Sequence, residues 1–302
     1  LGIFFTFLPE SKKVPLLQKP PNLYPVWNKI ETQLEEFIGL NQIAFFTGYS
    51  EWHFHKLFKS IQGENVKEYI RRLRLEKAAY ELKITNFPIL EIAIESGFLS
   101  HEAFSKAFKR VIGCTPSEFR KQFQKETKKS RNDNLTIPDG ISKFGFQIKV
   151  ISSFSIIYVR HIGSYEELPG PVPGSQEVRS ILSLIQKWNF SDTNHKWIGI
   201  SQDDPEISPK GKIRFDLGIT VGNLQKNIPD GFGIQTIPAG RYLQIRFHGS
   251  YHNLPKIYDW ILNDYIKTTS FRLKNQPPWE CYLNPLEKKD NKRITDIYFP
   301  IH

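Results

Sequence analysis

At 302 residues the chain is long enough for two ordinary domains. Hydrophobic residues make up 39% of it and aromatics 14%, ample for packed cores, yet no stretch approaches the roughly 18 consecutive apolar residues of a membrane span. The net charge of +10 carries meaning only where it clusters, and two widely separated cysteines, Cys114 and Cys281, form no disulfide framework and fit a reducing compartment.

The opening Leu1–Leu8 is apolar but short. Without a basic flank or a small-residue cleavage site it does not read as an export signal, so a cytoplasmic protein with no membrane partner is expected. Residues 1–25 stay an unassigned extension. From residue 26 an amphipathic helix is predicted through Val26, Ile30, Leu34, Phe37 and Ile38. The chain then repeats itself: Ile43-Ala44, Gly48, Ser50, Phe54, Phe58-Lys59 and Gly63 return as Ile92-Ala93, Gly97, Ser100, Phe104, Phe108-Lys109 and Gly113. The physical content is a helix-turn-helix in each copy. A small alanine suits a close helix crossing, a glycine ends the first helix in a left-handed turn, and a serine caps the second. The paired phenylalanines face a core, which leaves Glu51, Trp52, His55, Lys56 and Lys59, then His101, Glu102, Ser105, Lys106 and Lys109, on polar faces able to meet base edges and phosphates.

Between the copies, Val66 to Leu82 contains neither Gly nor Pro and carries an apolar stripe through Val66, Ile70, Leu73 and Leu82, so one long helix is predicted. Its Arg71, Arg72, Arg74 and Lys77, and the later Arg120, Lys121, Lys125, Lys128, Lys129 and Arg131, are the clustered charge that suits a polyanion; a solvated helix face is the plain alternative. Thr115-Pro116-Ser117-Glu118 predicts a further helix start, a capping box with Pro at the first helical position. Residues 26–125 resemble the AraC/XylS-type DNA-binding domain, on Gly48-Tyr49-Ser50, His53-Phe54, Leu57-Phe58-Lys59, Tyr69-Ile70, Arg74-Leu75, Ile92-Ala93, Gly97-Phe98, Phe104, Phe108-Lys109 and Thr115-Pro116-Ser117. The resemblance implies double-stranded DNA as partner, with RNA polymerase as a further one. It implies contacts by Trp52, His55 and Lys56 from the first copy and His101, Glu102, Lys106 and Lys109 from the second. Lys56 and Lys106 stand where family members often carry Arg; lysine lacks the bidentate fork, so phosphate rather than guanine is its expected partner. A helical protein-binding bundle is the alternative for the module, and packing at the domain edge the alternative for Trp52.

Residues 125–134 are uniformly polar, and a linker is expected over 126–142. Beyond it the pattern changes to β-branched and aromatic runs, and a second repeat emerges: Arg160-His161-Ile162-Gly163-Ser164-Tyr165 matches Arg246-Phe247-His248-Gly249-Ser250-Tyr251. Each copy leads through a helix near 178–188 or 256–266 to a Trp-led strand at Trp197 or Trp279, then to a closing strand. The predicted fold is thus α + α/β in two domains: an all-helical tandem helix-turn-helix domain followed by an α+β domain of two strand-helix-strand-strand repeats, with a groove between them.

Residues 143–302 resemble the GyrI-like effector-binding domain, on the two Gly-Ser-Tyr turns, Asp203-Asp204-Pro205, Arg214-Phe215-Asp216, Ile237-Pro238-Ala239-Gly240-Arg241-Tyr242 and Glu280-Cys281-Tyr282-Leu283-Asn284-Pro285. The resemblance implies a small organic effector, cationic or amphiphilic, held between aromatic walls and a buried carboxylate. Glu280 is the candidate carboxylate. Its partner in the repeat is Ile198, so the fold itself asks for no acid there, and strand alternation places it on one face with Tyr282. Tyr165 and Tyr251 are the other candidate effector residues. A solvent-facing glutamate and core tyrosines are the alternatives. No cofactor is expected, and no metal site, because His53 with His55 and His161 with His248 lack further ligands at metal spacing. No catalytic motif is read. The rival functions are a regulator-fused hydrolase that opens a reactive ligand through Glu280 and a tyrosine, and a sequestering protein for which DNA is incidental.

Overall fold

The computed structural model describes residues 22–36, 39–45, 47–130, 137–168, 170–188, 195–222 and 227–302. Helices come first: α1 (Tyr24–Thr32), α2 (Leu40–Phe45), α3 (Glu51–Gln62), α4 (Val66–Ile84), α5 (Ile89–Glu95), α6 (His101–Ile112) and α7 (Pro116–Ser130). The pairs α2–α3 and α5–α6 are the two copies read from the sequence, and the local chemistry is the expected one. Ser50 accepts from the His53 N–H at 3.4 Å and Ser100 from the Ala103 N–H at 3.2 Å, capping α3 and α6. Gly48 and Gly97 take φ of 70° and 79°, the left-handed geometry that ends α2 and α5. Thr115 and Glu118 exchange the two hydrogen bonds of a capping box at the start of α7, 2.8 and 3.3 Å long.

Each copy has its own core. Ile43, Ala44, Phe54 and Phe58 are buried with Trp27 and Ile30 of α1; Ile92, Ala93, Phe104 and Phe108 are buried with Phe119 and Phe123 of α7. α4 serves both, placing Val66, Tyr69 and Leu73 in the first and Leu75, Ala78, Ala79 and Leu82 in the second. This continuous helix fixes the two recognition helices relative to one another. α1 is shorter than its sequence pattern suggests, and Phe37 and Ile38 lie outside the described residues. The polar run expected to open the linker extends α7 to Ser130, since Lys-Glu-Thr-Lys-Lys-Ser contains no helix breaker; residues 131–136 lie outside the described residues.

The second half is one antiparallel sheet with strands β1 (Ile141–Ile151), β2 (Phe154–Ile162), β3 (Trp197–Ser201), β4 (Arg214–Val221), β5 (Gly233–Ile237), β6 (Gly240–His248), β7 (Trp279–Tyr282) and β8 (Ile294–Ile301). α8 (Gln176–Lys187) follows β2, and α9 (Leu254–Trp260) follows β6, running on through a π turn at Ile261–Tyr265 into Ile266–Thr268. The order β1-β6-β8-β7-β3-β4-β2-β5 is palindromic about the β7–β3 pair, so the two repeats meet there about a pseudo-twofold. One feature escaped the sequence reading. β1, which leads into β2, pairs instead with β6, and β5, which leads into β6, pairs with β2, so each repeat lends its leading strand to the other. α8 and α9 cover one face of the sheet. The opposite face carries Ile156, Tyr158, Ile198, Ile200, Tyr242, Trp279 and Cys281, with Tyr24 of α1 packed against it.

Candidate functional site

The helix-turn-helix copies present two exposed faces. In α3, Trp52 is 69% exposed and His55 and Lys56 are exposed, while Phe54 and Phe58 point inward. The Lys56 Nζ lies 4.3 Å from the centroid of the Trp52 ring, one helical turn away, so in the free protein the two side chains form a cation–π pair. In α6, His101, Glu102, Lys106 and Lys109 are exposed. Glu102, in the first turn, has its carboxyl held below the usual carboxylate range by hydrogen bonds to its own backbone N–H and to Ser100. An anionic first turn followed by two lysines gives α6 a graded charge along its outer face.

A cavity of about 590 Å³ lies where the start of β7, the end of β3, α9 and α4 converge, within the roughly 300–1,000 Å³ common for small-molecule sites. Among the described residues its lining includes seven carboxylates against three basic side chains. Most of these acids have partners: Glu31 meets Arg214 at 2.6 Å, Glu76 meets Arg72 at 3.0 Å, Asp203 meets Arg214 at 2.6 Å, and Asp204 meets Lys83 at 2.9 Å. Glu280 differs. It is 2% exposed and has no basic partner among the described residues; it accepts from the Tyr258 hydroxyl at 2.9 Å and from the Tyr282 hydroxyl. Burial pushes its carboxyl up to about 7, against the opposing effect of those two hydrogen bonds. Gly199, directly opposite Glu280 on β3, makes room for this arrangement, since a Cβ there would stand 2.5 Å from the Tyr282 hydroxyl.

Each half of the chain resembles known proteins. Residues 145–302 match the GyrI-like small molecule binding domain, and residues 43–122 match a helix-turn-helix domain. The chain is 41% identical over 92 residues to the Transposon Tn10 TetD protein of Escherichia coli, covering 30% of this chain and 67% of that one. It is 35% identical over 91 residues to the Regulatory protein SoxS of Salmonella typhimurium, covering 30% of this chain and 85% of that one. With the Right origin-binding protein of Escherichia coli it shares 38% identity over 96 residues, 32% of the length of each. The chain is an AraC/XylS-type transcription regulator with a C-terminal GyrI-like domain.

Within this regulator, the residues expected at the effector site divide. Glu280 and Tyr165 line the cavity, Tyr165 donating to the Asp203 carbonyl at 2.6 Å. Tyr282 shares the face of Glu280 as expected, but it supports the carboxylate from behind and is not among the cavity-lining residues. Tyr251 is a core residue, fully buried, its ring 5.2 Å from Tyr282 and 4.6 Å from the Arg293 guanidinium. The Gly-Ser-Tyr turn is thus repeated in sequence and divergent in role. Tyr258 was missed. It lies on the inward stripe of α9 with Leu254 and Ile261, but that spacing alone does not say that it reaches β7.

The basic cluster of α4, expected to meet a polyanion, is mostly engaged within the protein. Arg72 is buried between Glu64 at 2.8 Å and Glu76 at 3.0 Å. Arg74 donates to the Leu34 and Glu36 carbonyls at 2.7 and 2.6 Å, and Lys77 pairs with Glu35 at 2.5 Å. These charges hold α4 to its neighbours, and only Arg71 of that cluster is exposed without such a pairing among the described residues. Among the described residues no cluster of His, Cys, Asp and Glu could hold a metal ion, and no helix is long and apolar enough to cross a membrane.

Proposed function

We propose that this regulator binds specific DNA sequences through α3 and α6 and senses a small organic cation held by Glu280. On the DNA side, Trp52, His55 and Lys56 from α3 and His101, Glu102, Lys106 and Lys109 from α6 are the contact residues, two helices inserted in successive major grooves. Their exposure on faces opposite the buried phenylalanines supports this assignment.

On the ligand side, the observation that carries the reading is a buried carboxylate that lines an acidic cavity, is held by two phenol hydroxyls and has no basic side chain beside it among the described residues. An ionised group removed from water at that cost is compensated by a positively charged ligand, and Tyr165 and Tyr258 supply aromatic surface around it. The test compares benzyltrimethylammonium with its neutral isostere neopentylbenzene by calorimetry. Glu280→Gln keeps volume and one of the two acceptor oxygens while removing charge, and it should weaken the cation by about 2–5 kcal/mol and leave the isostere unchanged or tighter. Equal cation affinity in both proteins removes Glu280 from the site.

A further inference from the structure

α4 has a third surface. Leu73, Glu76, Lys77, Tyr80 and Lys83 recur at three- and four-residue spacings, which places them on one stripe of the helix, and all five line the cavity. The flanking sides of α4 are buried in the two helix-turn-helix cores, through Val66 and Tyr69 in the first and Ala78, Ala79 and Leu82 in the second. One continuous helix therefore sets the relative placement of the recognition helices and walls the cavity that Glu280 lines.

The cavity rim is tied to the same helix. Lys83 pairs with Asp204 at 2.9 Å and with Glu206, and Asn275 donates to the Lys77 carbonyl at 3.3 Å and to Glu81 at 3.1 Å. A displacement of α4 reshapes the cavity, and a ligand that fits one shape better favours the corresponding position of α4. Tyr80 lies in the middle of the stripe and brings an aromatic side chain to the cavity.

We infer that α4 is part of the ligand site: Tyr80 contacts an organic cation held by Glu280, and ligand occupancy and DNA affinity are linked through this one helix. The inference rests on reading the cavity as a cation site. It goes beyond that reading by assigning a ligand contact to the DNA-binding domain. Linkage of this kind is reciprocal, so a cation that changes DNA affinity has its own affinity changed by DNA by the same factor.

The test uses the full chain, benzyltrimethylammonium, neopentylbenzene and a duplex selected from random sequence for tight binding. Tyr80→Leu keeps bulk and apolarity but removes the ring; it should weaken the cation about 5- to 10-fold while changing the isostere by less than about 2-fold, as for a desolvated cation–π contact. Saturating duplex should change the cation's Kd in the unaltered protein by about 5-fold or more. Binding that still depends on Glu280 but does not change with DNA, or does not change with Tyr80→Leu, overturns the inference and leaves the effector reading standing. Binding indifferent to Glu280→Gln overturns that reading and this inference with it. Because the DNA measurement uses the unaltered protein, it decides the inference even where Tyr80→Leu fails to fold.

Discussion

A carboxyl held near pH 7 makes Glu280 a proton-linked ligand site, and the sign of the linkage follows from the direction of its shift. Burial raises the value to about 7, so the side chain is largely neutral below that pH and ionised above it. A cation binds the ionised form and must displace the proton when the pH is lower. Benzyltrimethylammonium affinity is therefore expected to rise about tenfold per pH unit from roughly pH 5 towards 7 and to level off above, with neopentylbenzene lacking that rise. Calorimetry in buffers of different ionisation enthalpy measures the proton released; a flat profile across this range would separate the cation from Glu280. Part of this site was legible in the sequence. Glu280 and Tyr282 share a face because alternation holds for any strand, and the Ile198 counterpart marked the acid as unforced by the fold. The role of Tyr251 was not legible, because a repeated turn fixes local geometry and not the direction of the neighbouring elements. Tyr258 depends on how α9 lies across β7, a contact between residues 22 apart in the chain that no local spacing encodes.

Among the elements, the helices α3, α6 and α7 were the most readable, since their boundaries have residues whose chemistry requires them: serine at the starts of α3 and α6, left-handed glycine at Gly63 and Gly113, and the Thr115–Glu118 box. The strand exchange of β1 and β5 left no such mark, because swapping equivalent leading strands between repeats leaves the apolar pattern of each strand unchanged. Charge was the least readable property: Arg72 and Arg74 resemble DNA-facing residues in sequence, yet carboxylates and carbonyls more than one turn away engage them. The lysines of the recognition helices are exposed, so their prediction can be made independently. Lys56→Ala and Lys106→Ala should each weaken binding at all sequences alike and lower the slope of log Kobs against log salt by about 1, as for one phosphate contact apiece. Footprinting should place the two contact patches on one face of the duplex, about 34 Å apart. A change in sequence preference with an unchanged salt slope would instead assign these lysines to base edges.

At the scale of the whole molecule, the two halves touch through both repeats of the pseudo-symmetric sheet, but α1 docks on the arginine of only one of them. Arg160 on β2 meets Asp216 on β4 at 2.7 Å, and its counterpart Arg246 on β6 meets Asp296 on β8 at the same distance. Only Arg160 is covered: Glu31 of α1 meets it at 2.5 Å, meets Arg214 at 2.6 Å and accepts from Tyr69 of α4 at 3.2 Å. The Arg246 side chain remains 46% exposed. Glu31, with Tyr24 of the same helix accepting from the Arg160 N–H at 2.9 Å, therefore sets the two repeats apart at the α1 contact. Burial alone would raise its carboxyl, but Arg160 and Arg214 outweigh burial and hold it at about 2, below its ordinary 4.5. A lowered carboxyl stabilises the folded, docked state fully above its unfolded value and loses that contribution as pH falls through the folded one. A shift of this size corresponds to something on the order of 3 kcal/mol. Glu31→Gln should thus destabilise the protein by that order above about pH 5, and the difference from the unaltered protein should shrink towards zero near pH 2. Denaturant unfolding of both proteins across this range measures it. The arginines retain Asp216 and Asp203, so each domain should stay folded in the variant, and calorimetry should resolve two transitions where the docked protein shows one. A difference between the proteins that does not depend on pH would mean that Glu31 joins the domains by shape and not by charge.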